Sequence, residues 1–266
     1  MEIKIINRIY KNFKFRIEIF KNTPDYIIQK WKYGIYKSLK PYINLRICVR
    51  IKNNVFVHLG YDPVDDFILE HLLGKDSQRY FPEKLSLSDK DIVLDVGSHH
   101  GIYASILSKR YKGTKIICVE PDPNSIRFIE KHQKVNKLNF DIIPCAISDK
   151  SKDGYLVDNN DGSWGKTVEI NPTENSILIQ TRSLAEILKD VEIGKIRLIK
   201  SNCEGGEYTL IDQMIDLELK PNYIILMIHP DKGNVTELVG RLVDYGYDYS
   251  IAWESEVNPC YHFFLS

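Results

Sequence analysis

Residues 91 to 104 place an acid, two glycines and a helix start at one strand end. The run Asp91-Ile-Val-Leu-Asp95-Val96-Gly97-Ser98-His99-His100-Gly101-Ile-Tyr-Ala104 reads as an apolar strand, a glycine turn and then a helix. Gly97 lets the backbone turn tightly and approach a ligand, and Gly101 lets the helix start against the strand with its free N–H groups facing a pocket. Twenty-five residues beyond Asp95, a second strand, Lys115-Ile-Ile-Cys-Val119, ends in Glu120-Pro121, where an acidic side chain can accept both hydroxyls of a ribose. Two such strand ends grip one nucleoside.

The spacing is G-x-x-x-G rather than G-x-G-x-x-G, and an aspartate stands two residues before the first glycine. It fits S-adenosylmethionine better than a dinucleotide. Asp95 then lies near the amino-acid end of that cofactor, through water or backbone groups, while Gly97 and Gly101 clear space for it. The other reading is that Asp95 only caps the following turn.

Elements must carry these residues to one place. Arg46 to Leu59 reads as one or two short strands, and Pro63 to Leu73 as a helix ending at Gly74. From Asp91 strands (91–96, 115–120, 140–144, 196–200, 222–228) alternate with helices (102–111, 123–136, 205–219, 233–245), a pattern that predicts a parallel sheet with helices on both faces. Two last strands, about 247–253 and 260–265, have no helix between them, so they form a hairpin placed antiparallel at the sheet edge. Between the third and fourth strands, Gly154 to Ile170 holds two extended pieces around a polar glycine loop, which predicts a hairpin insertion at about 154–175 near the cofactor mouth. Its Trp164 either stacks on a sugar face or covers the core edge. Tyr80, in Tyr80-Phe81-Pro82, is either a lid over cofactor or acceptor, or core.

The chain has 266 residues, 43% of them hydrophobic, enough for a substantial core. Its five cysteines lack C-x-x-C pairing, which suits a reducing, cytoplasmic compartment without structural zinc. No secretory leader and no apolar run of membrane-spanning length is expected. Net charge is zero, yet residues 1–46 hold eleven Lys or Arg against Glu2, Glu18 and Asp25, a local +8. This arm, with Trp31, Tyr33, Tyr36 and Tyr42, has the basic and aromatic mixture of membrane interfaces. It either docks the protein on acidic lipid or a polyanionic glycan, or packs on the main domain or on a second copy as a homodimer element. Nucleic acid is not expected as a partner, since the remainder is acidic and shows no nucleic-acid module. The expected division is an arm at 1–46, a lead-in and lid at 47–90, and the catalytic domain at 91–266.

Taken together, Leu94-Asp-Val-Gly-Ser-His-His-Gly101, Val119-Glu-Pro-Asp122, Asn136, Ala146-Ile-Ser-Asp149, Thr181-Arg-Ser-Leu184, Ile199-Lys-Ser-Asn-Cys-Glu-Gly-Gly-Glu-Tyr208 and Ile228-His-Pro230 resemble the FkbM family of S-adenosylmethionine-dependent methyltransferases, over roughly residues 80 to 265. The resemblance implies a Rossmann-like class I α/β fold, a mostly parallel seven-stranded sheet with an antiparallel C-terminal hairpin. It also implies methyl transfer to oxygen, often on a sugar hydroxyl of a polysaccharide, glycolipid or glycosylated product. Asp95, Gly97 and Gly101 would lie at the methionine part, with Ser98 beside them. Glu120 would hold the ribose next to Pro121 and Asp122, and Asp149 with the Cys145-Ala146-Ile147 backbone would meet the adenine.

Two positions depart from the family pattern: Asn202 stands where an aspartate is common, and Met227 where a glutamate two residues before the histidine is common. Asn202 can hydrogen-bond a substrate hydroxyl or the cofactor amino group but cannot act as a base. Methyl transfer mainly needs alignment, although a sugar hydroxyl must still lose a proton. Glu204 and His229 end the fourth and fifth strands and are the candidate bases, His229 with the better resting pKa. Against this, Glu204 has the alternative of capping a helix and His229 of a turn bond. His99 and His100 do not predict a metal site, because neighbours on a turn point apart and no third ligand has suitable spacing. The expectation is a glycan O-methyltransferase. The alternatives are a methyltransferase of a lipid, small natural product or protein, or a catalytically reduced cofactor-binding scaffold.

Overall fold

The computed structural model describes residues 26–39, 46–59, 65–74, 77–158 and 165–265. Along the chain they form α1 (Tyr26–Leu39), β1 (Ile47–Ile51), β2 (Val55–Leu59), α2 (Asp65–Leu73), β3 (Ile92–Val96), α3 (Ile102–Arg110), β4 (Lys115–Val119) and α4 (Pro123–Asn136). Then come β5 (Asp141–Ile143), β6 (Ala146–Ile147), β7 (Lys152–Val157), β8 (Thr167–Glu169), β9 (Ile177–Arg182), α5 (Leu184–Ile187) and β10 (Ile196–Ser201). The chain closes with α6 (Gly206–Asp216), β11 (Tyr223–Met227), α7 (Val235–Asp244), β12 (Asp248–Trp253) and β13 (Cys260–Phe264).

The central sheet has the order β12-β13-β11-β10-β3-β4-β5. Pairings among β11, β10, β3, β4 and β5 are parallel, and β13 runs antiparallel between β11 and β12. This is the class I α/β arrangement expected from the alternation of elements. Every residue of β3 is buried, so the strand reads as an apolar run because both its faces are covered. Val93, Cys118, Leu198 and Ile225 face a core shared with α3 and the β1–β2 hairpin, whereas Leu94, Val119, Ile199 and Leu226 face α6 and α7.

Helix starts follow their sequence signals. Asp122 caps α4 by accepting from the Asn124 N–H at 2.9 Å, with Pro123 in the first position. After β3 the chain moves to β4 and β5 on one side, then returns to β10 on the other. That reversal opens a crevice at the C-terminal strand ends.

Two expectations change. The insertion is larger than a hairpin, because β7 pairs with both β8 and β9, and β9 also takes β6 in parallel. A boundary at residue 46 cuts a packed unit: Tyr33 and Tyr36 of α1 are fully buried in the same core as β1, β2 and α3. Residues 1–25 of the arm lie outside the described residues.

The hairpin is tied to the sheet domain through α4. Asn136 accepts from the Phe56 N–H at 2.6 Å and donates to the Phe56 carbonyl at 2.8 Å, and His132 Nε2 accepts from the His58 N–H at 3.0 Å. A polar side chain thus meets both backbone groups of a β2 residue that no strand partner reaches. Asn136→Ala should destabilise the protein by about 1–3 kcal/mol in chemical denaturation, with faster amide exchange concentrated in β2.

Candidate functional site

A cavity of about 480 Å³ occupies the crevice, lined by the ends of β3, β4 and β10, the segment from Cys145 to Asp149, and Gly165 to Ile170 of the insertion. Glu120 stands at the end of β4 with its carboxylate buried. Its Oε2 accepts from the His99 N–H at 2.7 Å and its Oε1 from the Asp122 N–H at 3.0 Å. Burial raises this carboxyl, against the lowering by those two donors, to about 7. The backbone aims the carboxylate into the cavity and leaves lone pairs for two ligand hydroxyls.

Around it, Pro121, Asp122, Ala146 and Asp149 line the same cavity. Lys166 from the insertion forms a buried ion pair with Asp122 at 2.6 Å, so the small sheet is fastened over the crevice by charge. An apolar slot formed by Cys145, Ala146 and Ile147, a buried ribose acceptor and an open glycine turn match an adenosine thioether. S-adenosylmethionine therefore fits this lining, in which Glu120 would meet the ribose and Cys145 to Asp149 would surround the adenine. Trp164 lies outside the described residues.

The glycines do different work from each other. Gly97 lines the cavity at φ 71°, and a Cβ on it would sit 2.0 Å from the Asn202 carbonyl oxygen. Gly101 does not line this cavity. Its missing Cβ admits Ile129 of α4 at 3.2 Å, so it clears space for a helix and not for a ligand.

Asp95 stands behind the wall and not in it. It is fully buried and outside the cavity lining, with Lys200 Nζ 2.9 Å from its Oδ1. Burial pushes its carboxyl up while Lys200 opposes the shift. Ser98 is buried as well, donating to the Asp95 carbonyl at 2.6 Å.

Lys200 is a cation on a strand otherwise filled with apolar residues, a signal visible in the sequence but not used there. Its Nζ also donates to the Gly97 carbonyl at 2.9 Å. It faces a second cavity of about 60 Å³, which shares Gly97, His99 and Asn202 with the large one. Tyr80 lines this side cavity, packed near Tyr103, and does not cover the large one. The imidazoles of His99 and His100 do not point apart: they stack with centroids 3.8 Å apart. Among the described residues, no three His, Cys, Asp or Glu are grouped to hold a metal ion.

At the ends of β10 and β11, three groups form a chain. Glu207, in the first turn of α6, is fully buried. Its Oε1 accepts from the His229 N–H at 2.7 Å and lies 2.9 Å from His229 Nδ1, while its Oε2 accepts from the Gly205 N–H at 2.9 Å. On the other side of the ring, His229 Nε2 lies 3.3 Å from Glu204 Oε2. Glu204 lines the large cavity and His229 does not. Burial by itself would lower the imidazole; hydrogen bonds to Glu204 and Glu207 overcome this and push it up to about 10. That direction favours the protonated ring at neutral pH and speaks against His229 as a resting base, and Glu204 is the carboxylate of this group that lines the cavity. Glu207 was not singled out from the sequence, although an acid in the first turn of a helix that follows a strand end is a signal for that end.

A family model described as the methyltransferase FkbM domain matches residues 95–249. The hexuronic acid methyltransferase AglP of Haloferax volcanii is 26% identical over 155 residues, 58% of this chain and 63% of that protein. The chain is also similar to the crystal structure of methyltransferase FkbM from Methylobacillus flagellatus (TM-score 0.49, 16% identity, 76% of this chain and 54% of that one). A further similar structure is a precorrin-6y C5,15-methyltransferase from Geobacter metallireducens (TM-score 0.46, 15% identity, 73% and 89%). The chain spans just under two thirds of the length of the curated relative.

Ribose hydroxyls donate best to an ionised Glu120, so a bound nucleoside holds that carboxyl below its free value. Calorimetric affinity for S-adenosylhomocysteine should therefore rise with pH through about 7. Glu120→Gln should flatten this dependence and weaken binding by about 1.5–3 kcal/mol. His229 has its folded value raised, so its contribution to stability is complete below the unfolded imidazole range and is lost as pH rises through about 10. Glu207→Gln should reduce that loss in denaturation curves recorded at neutral and alkaline pH.

Proposed function

The chain belongs to the FkbM family of S-adenosylmethionine-dependent methyltransferases, and from that premise we propose that it methylates a sugar hydroxyl of a glycan, polysaccharide or glycolipid. The observation that carries the hydroxyl reading is the Glu204 carboxylate, which lines the cavity with its Oε2 3.3 Å from His229 Nε2. A carbohydrate acceptor is supported by the likeness to a hexuronic acid methyltransferase.

The bound cofactor supplies an electrophilic methyl group on a sulfonium. Glu120 holds the ribose, and Cys145, Ala146 and Ile147 wall the adenine. Glu204 accepts the proton of the acceptor hydroxyl as its oxygen takes the methyl group. His229, as an imidazolium, holds Glu204 by an ion pair and does not itself take the proton. Glu207 holds His229 from behind. Asn202 cannot receive a proton, and Met227 is buried, so neither departure from the family pattern adds a base.

The acceptor is read as carried at a membrane surface. Ile27, Ile28, Trp31 and Ile35 of α1 are exposed, Trp31 by 70%, on an arm rich in Lys and Arg. Among the described residues no helix is long and apolar enough to cross a membrane. Sedimentation with vesicles containing acidic lipid should retain the protein at low salt and release it as salt rises. A dimer in solution without vesicle binding would assign this face to a second copy.

Incubation with S-adenosylmethionine and a panel of glycan acceptors, read by mass spectrometry, should show a mass gain of one methyl group on a sugar. Transfer only to lipid, natural-product or protein acceptors would replace the sugar reading, and cofactor binding without transfer to any class would leave a scaffold. Glu204→Gln should lower turnover by about 10²–10⁴-fold with S-adenosylhomocysteine affinity nearly unchanged. A full rate in that variant would show that alignment alone carries the reaction.

A further inference from the structure

Glu120 is aimed by a turn whose own conformation needs support. Between β3 and α3 the backbone takes left-handed angles at Gly97, His99 and Gly101. Of these His99, at φ 50°, carries a side chain, and residues with a side chain seldom adopt this region. Its N–H is the donor to Glu120 Oε2 at 2.7 Å, so the backbone at His99 sets the direction of the carboxylate.

The other side of His99 is held from α4. His132 is fully buried, and its Nδ1 lies 2.6 Å from the His100 carbonyl oxygen. On the far edge of the ring, Nε2 accepts from the His58 N–H of β2 at 3.0 Å. A carbonyl oxygen cannot donate and a backbone N–H cannot accept, so these two partners fix the ring as neutral, with its proton on Nδ1. Asn136, one helical turn later on the same face of α4, bonds β2 and its own helix but not the turn.

We propose that His132 is a positioning residue for the ribose site: as the neutral tautomer protonated on Nδ1 it clamps the His100 carbonyl, keeps His99 left-handed and thereby aims Glu120. The proposal rests on the cofactor reading of the large cavity. His132 lines neither cavity, so it acts on a ligand through Glu120 and not by touching it. The His99 and His100 rings stack at 3.8 Å, and His100 lies 4.4 Å from Phe128 of α4, which fastens the same turn through its side chains. The bond to the carbonyl adds the direction that ring packing lacks.

Proton–nitrogen correlation spectra of protein carrying isotope-labelled histidine read the tautomer directly, with His132→Gln assigning the signal. The ring should show a protonated Nδ1 and a bare Nε2; the opposite tautomer, or an imidazolium at neutral pH, would overturn the proposal. Calorimetry with S-adenosylhomocysteine is the second readout. His132→Phe keeps the ring volume but neither hydrogen bond and should weaken binding by about 3–30-fold. His132→Gln, with a donor and an acceptor, should recover most of that loss. In a Glu120→Gln background His132→Phe should add less than about twofold, since both changes act on one carboxylate. Asn136→Ala is the control for a merely structural role: it also loosens β2, yet should bind S-adenosylhomocysteine as the wild type does. Full affinity in folded His132→Phe, or losses that multiply in the double variant, would overturn the proposal while sparing the cofactor reading. No binding by the wild-type protein would remove the cofactor reading and this proposal with it, and the spectra test the clamp even where His132→Phe fails to fold.

Discussion

The ends of β3 and β10 approach so closely that position 97 has no room for a side chain. The Asn202 N–H donates to the Val96 carbonyl at 3.1 Å, and Lys200 Nζ donates to the Gly97 carbonyl at 2.9 Å. One backbone junction therefore sets the places of Gly97, Lys200 and Asn202, and through them the wall shared by the two cavities. Any residue with a Cβ at 97 would have to push the strands apart and, with them, every group that meets the ligand.

A second constraint lies one turn further along. Glu204 holds a left-handed backbone conformation, φ 52°, which is costly for a residue with a side chain. Glu207 sustains it by binding the N–H of the next residue, Gly205, while its other oxygen holds His229. A single buried carboxylate thus links the ends of β10 and β11. It also explains why His229 keeps its proton: a ring set between two carboxylates is stabilised as the cation more than burial disfavours it. In the proposed reaction the basic group is therefore the Glu204 carboxylate at the surface of the cavity, with the imidazolium holding it.

Packing on both flanks holds the strand ends of the site in place. The hairpin β1–β2 and α1 share a core with α3 and are locked to α4 by Asn136 and His132. That packing settles the place of α3, whose first turn carries Tyr103. On the opposite side, the small insertion sheet is clamped by the Lys166–Asp122 ion pair, which is nearly excluded from water and so is little weakened by solvent.

Element order, the parallel sheet with its antiparallel end and the place of Glu120 at the crevice were all legible in the residues themselves. Strands buried on both faces read as apolar runs, helices begin at caps such as Asp122 and Pro123, and an acid ending a strand must lie at the crevice. Those signals are local, set by each residue and its near neighbours. The assignments that needed tertiary structure concern residues whose chemistry depends on a distant partner. Asp95 meets Lys200 across adjacent strands, and Gly101 meets Ile129 of another helix. Likewise His229 titrates according to two carboxylates more than twenty residues before it. A sequence states which groups can carry charge or leave space; only the packing of strands and helices decides what each one faces, and that neighbour sets whether it binds a ligand, supports another side chain or keeps its proton.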